Sequence, residues 1–259
     1  MSENIMQATY PILEFDPARE AIIEPQFVAE PIDAPEHVVF CFFREVVAKV
    51  IQERAAVEIA SQRWEDAVHS IYEINVDGRR LAIAHPGVGG PVAAGVLEET
   101  IPLGCSKFIA CGGAGVLDKS IAVGHIVVPS VAVRDEGTSY HYLPPAREVG
   151  ASPEGVAAIE QVLSRHQIPY LIAKTWTTDA PYRETQAKVH LRKSEGCLTV
   201  EMEAAAFFAV AQFRGVTFAQ MLYGGDDVSG GEWDSREWHS RTSVREKLFW
   251  LAVEACLAL

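Results

Sequence analysis

The chain has 259 residues, 35 of them acidic and 22 basic, for a formal charge of −13. Its length allows one large domain or two small ones and a core that stands without disulfide staples, while 49% hydrophobic and 22% charged residues exclude a disordered, collagen-like or coiled-coil chain. The acidic balance argues against a nucleic-acid binder, whose affinity comes from lysine and arginine neutralising phosphates, and against an anionic membrane surface as partner.

Residues 1–36 are punctuated by Pro11, Pro17, Pro25, Pro31 and Pro35 without sustained periodicity, which predicts a surface arm ahead of one domain spanning 37–259. The first ten residues have neither a basic start nor an apolar stretch, so no signal peptide is expected. No run approaches the roughly 18–20 apolar residues of a membrane helix. Residues 38–43 are uninterruptedly apolar, as in a strand buried on both faces, and a helix follows over 44–56. Residues 71–76 and 80–84 read as a hairpin on the turn dipeptide Asp77-Gly78. A glycine loop, 85–90, leads to a helix over 91–100 that opens on Pro91. A strand over 107–111 runs into Gly112-Gly113-Ala114-Gly115, and 124–133 is the next strand. Ser152-Pro153 starts a helix to residue 166, followed by a strand over 170–175, a helix over 184–194 and a strand over 197–200. The helix 201–214 stops at Gly215, and a strand over 216–223 and a helix over 242–258 complete the chain. This alternation predicts a single-domain α/β fold, three α/β/α layers around a central mixed β-sheet. The five cysteines are scattered and form no C-x-x-C, so reduced core thiols in a cytoplasmic protein are expected. Cys111 is the one alternative nucleophile, and it has no base near it in sequence.

Ligands of open α/β sheets bind at the carboxyl ends of strands, and four such ends are unusual here. His85-Pro-Gly-Val-Gly-Gly-Pro91 and Cys111-Gly-Gly-Ala-Gly115 let backbone N–H groups approach an anion, although either could be only a tight turn. In Val200-Glu-Met-Glu-Ala-Ala-Ala206, Glu201 and Glu203 stand at a strand-to-helix junction, where they could accept hydrogen bonds from sugar hydroxyls or merely complement a helix dipole. In Gly224-Gly-Asp-Asp-Val-Ser229, an aspartate could exchange a proton with a leaving group, or simply cap a turn. The histidines show no metal-ligand spacing, so no metal is expected. Glu232-Trp-Asp-Ser-Arg-Glu-Trp238 suggests a flap whose Arg236 could pair with Asp226 or Asp227.

Taken in order, these segments resemble the nucleoside phosphorylase family, which includes purine nucleoside phosphorylases, uridine phosphorylases and related nucleosidases. The resemblance covers about residues 38–258 and is most specific at Val200-Glu-Met-Glu-Ala-Ala205. It implies that phosphate attacks C1′ of a nucleoside and releases pentose 1-phosphate and free base, a pentosyl transfer with phosphate as co-substrate and no other cofactor. Carried over by position, Glu203 binds the ribose hydroxyls, Met202 packs on the sugar, Glu201 supports both, and Asp226 serves the base. Thr178, Tyr182 and Arg183 fall where the family holds the base. Arg44, Gly87, Gly112 and Gly113 fall at the phosphate, with Arg63 as a second arginine reaching a neighbouring subunit of a homo-oligomer. Asp16-Pro-Ala-Arg19 imitates a family phosphate motif, but topology and spacing to Gly87 favour Arg44 over Arg19.

Two departures matter. Ala110 stands where many members carry an arginine, and Gly113 where they carry serine or threonine. These missing anion ligands keep a hydrolase using water, and a non-catalytic nucleoside-binding relative, open beside the phosphorylase. Asp226 leans toward a purine and Gly137–Tyr142 toward the uridine branch, so base identity stays open as well.

Overall fold

The computed structural model describes residues 5–259. Strand β1 (His37–Cys41) stops two residues short of its apolar run because Phe42 and Phe43 turn out of the sheet, and Phe43 becomes the N-cap of α1 (Arg44–Glu53). That helix buries Val46, Val47 and Val50 and ends before Ala55, whose φ of 47° cannot continue it. Strand β2 (Val57–Arg63) was not expected. It is an edge strand, mostly exposed and paired on one side only, so it carries no apolar alternation. Strands β3 (Val68–Val76) and β4 (Arg79–Ala84) form the anticipated hairpin. Asp77 and Gly78 both have positive φ, 52° and 84°, the geometry that matches strand twist at a two-residue turn.

Helix α2 (Gly90–Thr100) leads to β5 (Lys107–Val116), which runs straight through the expected glycine loop. Gly112 and Gly113 pair in register with Leu222 and Tyr223, and Gly115 with Val200. Glycine is needed there because aromatic rings lie on the strand: a Cβ on Gly112 would stand 3.0 Å from the Phe42 ring, and one on Gly113 3.1 Å from Tyr223. Strands β6 (Ile126–Asp135) and β7 (Glu148–Gly150), helix α3 (Pro153–Arg165), β8 (Tyr170–Thr178) and α4 (Gln186–Ser194) follow. The chain closes with β9 (Cys197–Glu201), α5 (Ala204–Arg214), β10 (Thr217–Asp227) and α6 (Thr242–Leu257). Ser152 spends its hydroxyl on Phe218 N at 2.9 Å and does not cap α3.

The fold is α/β around one mixed sheet, in the order β10-β6-β8-β9-β5-β1-β4-β3-β2, with β7 on the edge of β6. Because β10 also pairs with β5, strands β5, β10, β6, β8 and β9 close into a ring, while β1, β4, β3 and β2 extend as an open blade. One apolar core lies between the sheet and α1, α3 and α6, around Met221, Ile159 and Phe249. A second lies under α2 and α5, where Phe207 and Phe218 stack with ring centroids 4.5 Å apart. Parallel β1, β4, β5 and β10 all end on the same side of the sheet, where β9 delivers its own end as well.

Of the expected 1–36 arm, residues 1–4 lie outside the described ones. The remainder carries two short 3₁₀ turns, Pro11–Leu13 and Pro25–Phe27, and is tied down by Ile32 N donating to Leu103 O and by Arg80 pairing with Asp33. All five cysteines are buried and unbridged. Burial raises the Cys111 thiol well above its ordinary pKa, with Cys41 beside it, which argues against the nucleophile alternative. No helix among the described residues is long and apolar enough to cross a membrane.

Candidate active site

Glu201 closes β9 and is buried, with its carboxylate fully engaged. It accepts from Thr177 Oγ1 at 2.6 Å and from the backbone N–H groups of Glu203 and Ala204 at 2.7 and 2.6 Å. It thus satisfies the first orphan donors of α5, the work of a helix cap done from within the preceding strand. Glu203 is the N-cap residue itself, yet its side chain leaves the helix: Oε1 accepts from Gly89 N at 2.6 Å. Gly89 holds φ at 90° as the N-cap of α2, so one carboxylate locks the glycine loop to the start of α5. Burial, and then the charge of Glu201, push Glu203 up to about 8.

Gly87 has φ 79°, and a Cβ there would meet Val92 Cγ1 at 2.3 Å. Its N–H donates to His85 Nδ1 at 3.1 Å, which places the proton of a neutral imidazole on Nε2. Burial, with the Arg44 charge next, pushes His85 down to about 4 and keeps it neutral at pH 7.

These elements wall a cavity of about 420 Å³ lined by Arg44, His85, Gly113, Met202, Glu203, Gln220 and Arg245 among others. Arg44, the first residue of α1, is exposed and makes no ion pair among the described residues. Arg245 reaches in from α6, its Nη1 on Glu45 Oε1 at 2.5 Å and its Nε on the Tyr223 hydroxyl at 3.3 Å. An adjoining cavity of about 560 Å³ shares Trp238 and His239 with the first and adds Tyr182, Glu184, Asp226 and Trp233. Asp226, at the end of β10, accepts from Trp233 Nε1 at 2.7 Å. Glu184 is pushed up to about 7 by burial first and by the nearby Asp226 charge second.

The segment over this second cavity folds back on β10, with Asp227 and Asp234 exchanging backbone hydrogen bonds at 2.8 and 3.1 Å. Arg236 fastens it by pairing with Asp227 Oδ2 at 2.5 Å and Ile121 O at 2.7 Å, so the open choice between Asp226 and Asp227 falls on Asp227.

Arg44, Gly113, Glu201, Met202 and Glu203 therefore share one cavity, and Tyr182 and Asp226 the next. Other expected residues are not brought there. The Thr178 hydroxyl accepts from Ala180 N–H instead, because strand alternation turns Thr175 and Thr177, and not Thr178, toward Glu201. Arg183 lies outside both linings, and Arg63 stands exposed at the end of edge strand β2. Gly87 and Gly112 shape the walls beneath side chains without lining either cavity. Arg19 lies on Phe213, its Nη1 donating to that residue's carbonyl at 2.5 Å, in a separate surface groove. Gln220, Arg245, Glu184 and Thr177 gave no signal in the sequence. His85 did so only as the border of the glycine loop.

The phosphorylase superfamily matches residues 36–258. A guanosine phosphorylase from Halorubrum lacusprofundi is 32% identical over 163 residues, 61% of this chain and 65% of that protein. A uridine phosphorylase from Treponema pallidum is 31% identical over 155 residues, 55% of this chain and 59% of that protein. The chain thus spans less than two thirds of the length of these curated relatives. Among solved structures, a purine nucleoside phosphorylase from Toxoplasma gondii in complex with immucillin-H superposes with a TM-score of 0.74 at 21% identity, covering 86% of this chain and 91% of that one. A uridine phosphorylase from Vibrio fischeri ES114 gives 0.73 at 22% identity, covering 89% and 94%. These two likenesses establish a shared fold, and the match over 36–258 establishes descent: the chain belongs to the phosphorylase superfamily.

Proposed function

We propose that the chain is a nucleoside phosphorylase, a pentosyltransferase that cleaves the N-glycosidic bond of a purine nucleoside with inorganic phosphate. The observation that carries this reading is the buried Glu203, fixed by Gly89 N–H in the wall of a cavity that also holds Arg44 and Arg245. A carboxylate suits sugar hydroxyls, which donate, and guanidinium groups suit an oxyanion. A phosphate oxygen attacks C1′, the bond to the base nitrogen breaks, and its electron pair leaves with the base. Both substrates are held in line for that displacement, so positioning and charge stabilisation supply the rate. Met202 packs on the sugar, and Tyr182, Asp226 and Glu184 serve the base. Asp226 falls where purine-specific members of the family carry the acid that protonates or hydrogen-bonds the base, and Glu184, pushed up to about 7, stands beside it as a second group able to hold a proton.

The enzyme works in the cytoplasm as a homo-oligomer with no metal or other cofactor. The arm residues Ile22 and Phe27, 98% and 67% exposed, are apolar surface of the kind that subunit contacts cover. One observation favours water as the nucleophile: Ala110 is fully buried, so β5 sends no cation into the cleft. The purified chain, given purine and pyrimidine nucleosides with and without phosphate, decides between them. Phosphate-dependent release of a purine base is expected. Equal release in phosphate-free buffer establishes hydrolysis, and ligand-induced thermal stabilisation without release establishes a binding protein.

A further inference from the structure

Gln220 of β10 sits in register with Ala110 of β5, is 1% exposed and lines the cavity that holds Glu203. Its Oε1 has no hydrogen-bond partner among the described residues. A buried carbonyl oxygen left unpaired is costly, and of the buried polar atoms without a partner among the described residues this is the one whose residue lines the cavity with Glu203, where a ligand can bring the missing donor. Arg245 enters the same cavity from α6, oriented by Tyr223 and Glu45 and packed with its guanidinium 4.9 Å from the Phe43 ring centroid and 5.3 Å from that of Trp238. Two of its three nitrogens are spent on those partners, and the two rings keep the fork from swinging away.

We infer that Gln220 and Arg245 complete the anion end of the cleft, replacing the cation that β5 lacks at Ala110, and that the anion they accept is a tetrahedral oxyanion bearing a proton, monohydrogen phosphate. This rests on the phosphorolytic reading and names which residues hold its co-substrate. The amide oxygen lacks a partner and Nε2 makes no hydrogen bond among the described residues either, so the ligand that satisfies Gln220 both donates and accepts. Phosphate near pH 7 carries a P–OH and sulfate does not. Arg44 and Arg245 supply the charge from opposite ends of the chain, α1 and α6, while Gln220 reads the proton. The small Ala110 leaves the amide its place beside β5.

The test uses the full chain as wild type, Gln220→Met and Arg245→Lys, with melting temperatures confirming that each variant is folded. Steady-state kinetics on the nucleoside released in the panel give KM for phosphate and for nucleoside separately. Thermal shift with phosphate, and in parallel with sulfate, gives anion binding without nucleoside. Each variant is expected to raise KM for phosphate about tenfold, the loss of one hydrogen bond to a charged group, and to leave KM for nucleoside within about twofold. Wild type is expected to be stabilised by phosphate over sulfate, and Gln220→Met to lose that preference. Unchanged phosphate KM in Gln220→Met, or equal stabilisation of wild type by sulfate, overturns the inference. Base release without phosphate would remove the phosphorolytic reading alone. The anion site falls with it only if phosphate also leaves the wild-type melting temperature unmoved, since Gln220 would then hold the attacking water.

Discussion

Glu203→Gln separates the electrostatic position of Glu203 from its packing. The amide keeps the volume and still accepts from Gly89 N–H, so the link between the glycine loop and α5 survives. What disappears is a buried acid whose pKa is raised from 4.5 to about 8. A carboxyl raised in the folded state binds its proton more tightly there than in the unfolded chain. Its contribution to stability is therefore fully present below about 4.5 and is lost as pH climbs to about 8. Linkage puts the wild-type loss between pH 6 and pH 9 at about 3 kcal/mol as an upper figure, and local relaxation halves it. For a chain of this length, that is a fall of about 4–10 °C in melting temperature relative to the variant. Thermal unfolding followed by circular dichroism at pH 6 and pH 9 measures it. Glu203→Gln should close on or overtake wild type at pH 9 while losing at least a hundredfold in kcat/KM at that pH, where Glu203 is ionised and a neutral amide is a poorer acceptor for sugar hydroxyls. Parallel pH curves for the two proteins would refute the assignment of a strained, buried charge to Glu203.

Gly87→Ala should destabilise by about 2–3 kcal/mol in chemical denaturation, since φ of 79° and a Cβ 2.3 Å from Val92 Cγ1 combine backbone strain with overpacking. The same shift of the loop should misplace Gly89 N–H and depress turnover. Glu184→Gln should remove an ionisation near pH 7 from the pH dependence of kcat/KM for a purine nucleoside and leave KM for phosphate unchanged. Arg236→Met cuts the flap from Asp227 and Ile121 O, so KM for nucleoside and kcat should change together, as for a loosened lid. Limited proteolysis should then cut within 229–241 faster than in wild type.

The sheet was legible because its central strands are short uninterrupted apolar runs separated by helical periodicity. Its edge was not: β2 pairs on one side only and shows the outside no alternation to read. Glycine misled in the opposite direction at 112–115, where the absence of a side chain signals rings packed on a strand and equally signals a turn. The glutamate pair was legible because both members stand at one junction, three residues from end to end. Thr178 shows how thin such a margin is in a strand, where moving by one residue exchanges the faces and makes Thr177 the partner of Glu201. Gln220 and Arg245 were illegible for a different reason. Nothing local distinguishes a glutamine within an apolar strand or an arginine in the first turns of a helix. Their meaning comes from closure of β10 onto β5 and from α6 packing back across β1 and β5.

That closure also changes what a charge of −13 implies. At physiological ionic strength charges farther than about 8–10 Å are largely screened, so an anion in the cleft feels its walls and little of the chain's total. Several arginines are spent elsewhere on carboxylates, among them Arg80 on Glu73 and Asp33, Arg192 on Asp135 and Glu195, and Arg214 on Glu98. Arg44 is not, and Arg245, though paired with Glu45, holds that carboxylate at the half-exposed rim while its own head stays 8% exposed inside. Desolvation strengthens a buried guanidinium toward any oxyanion that reaches it, whereas the rim carboxylate is weakened by water. An acidic protein can in this way present a cationic pocket without a basic surface, provided the cation is carried in by tertiary packing. The position that the sequence leaves empty at Ala110 is met from a helix 135 residues further along the chain.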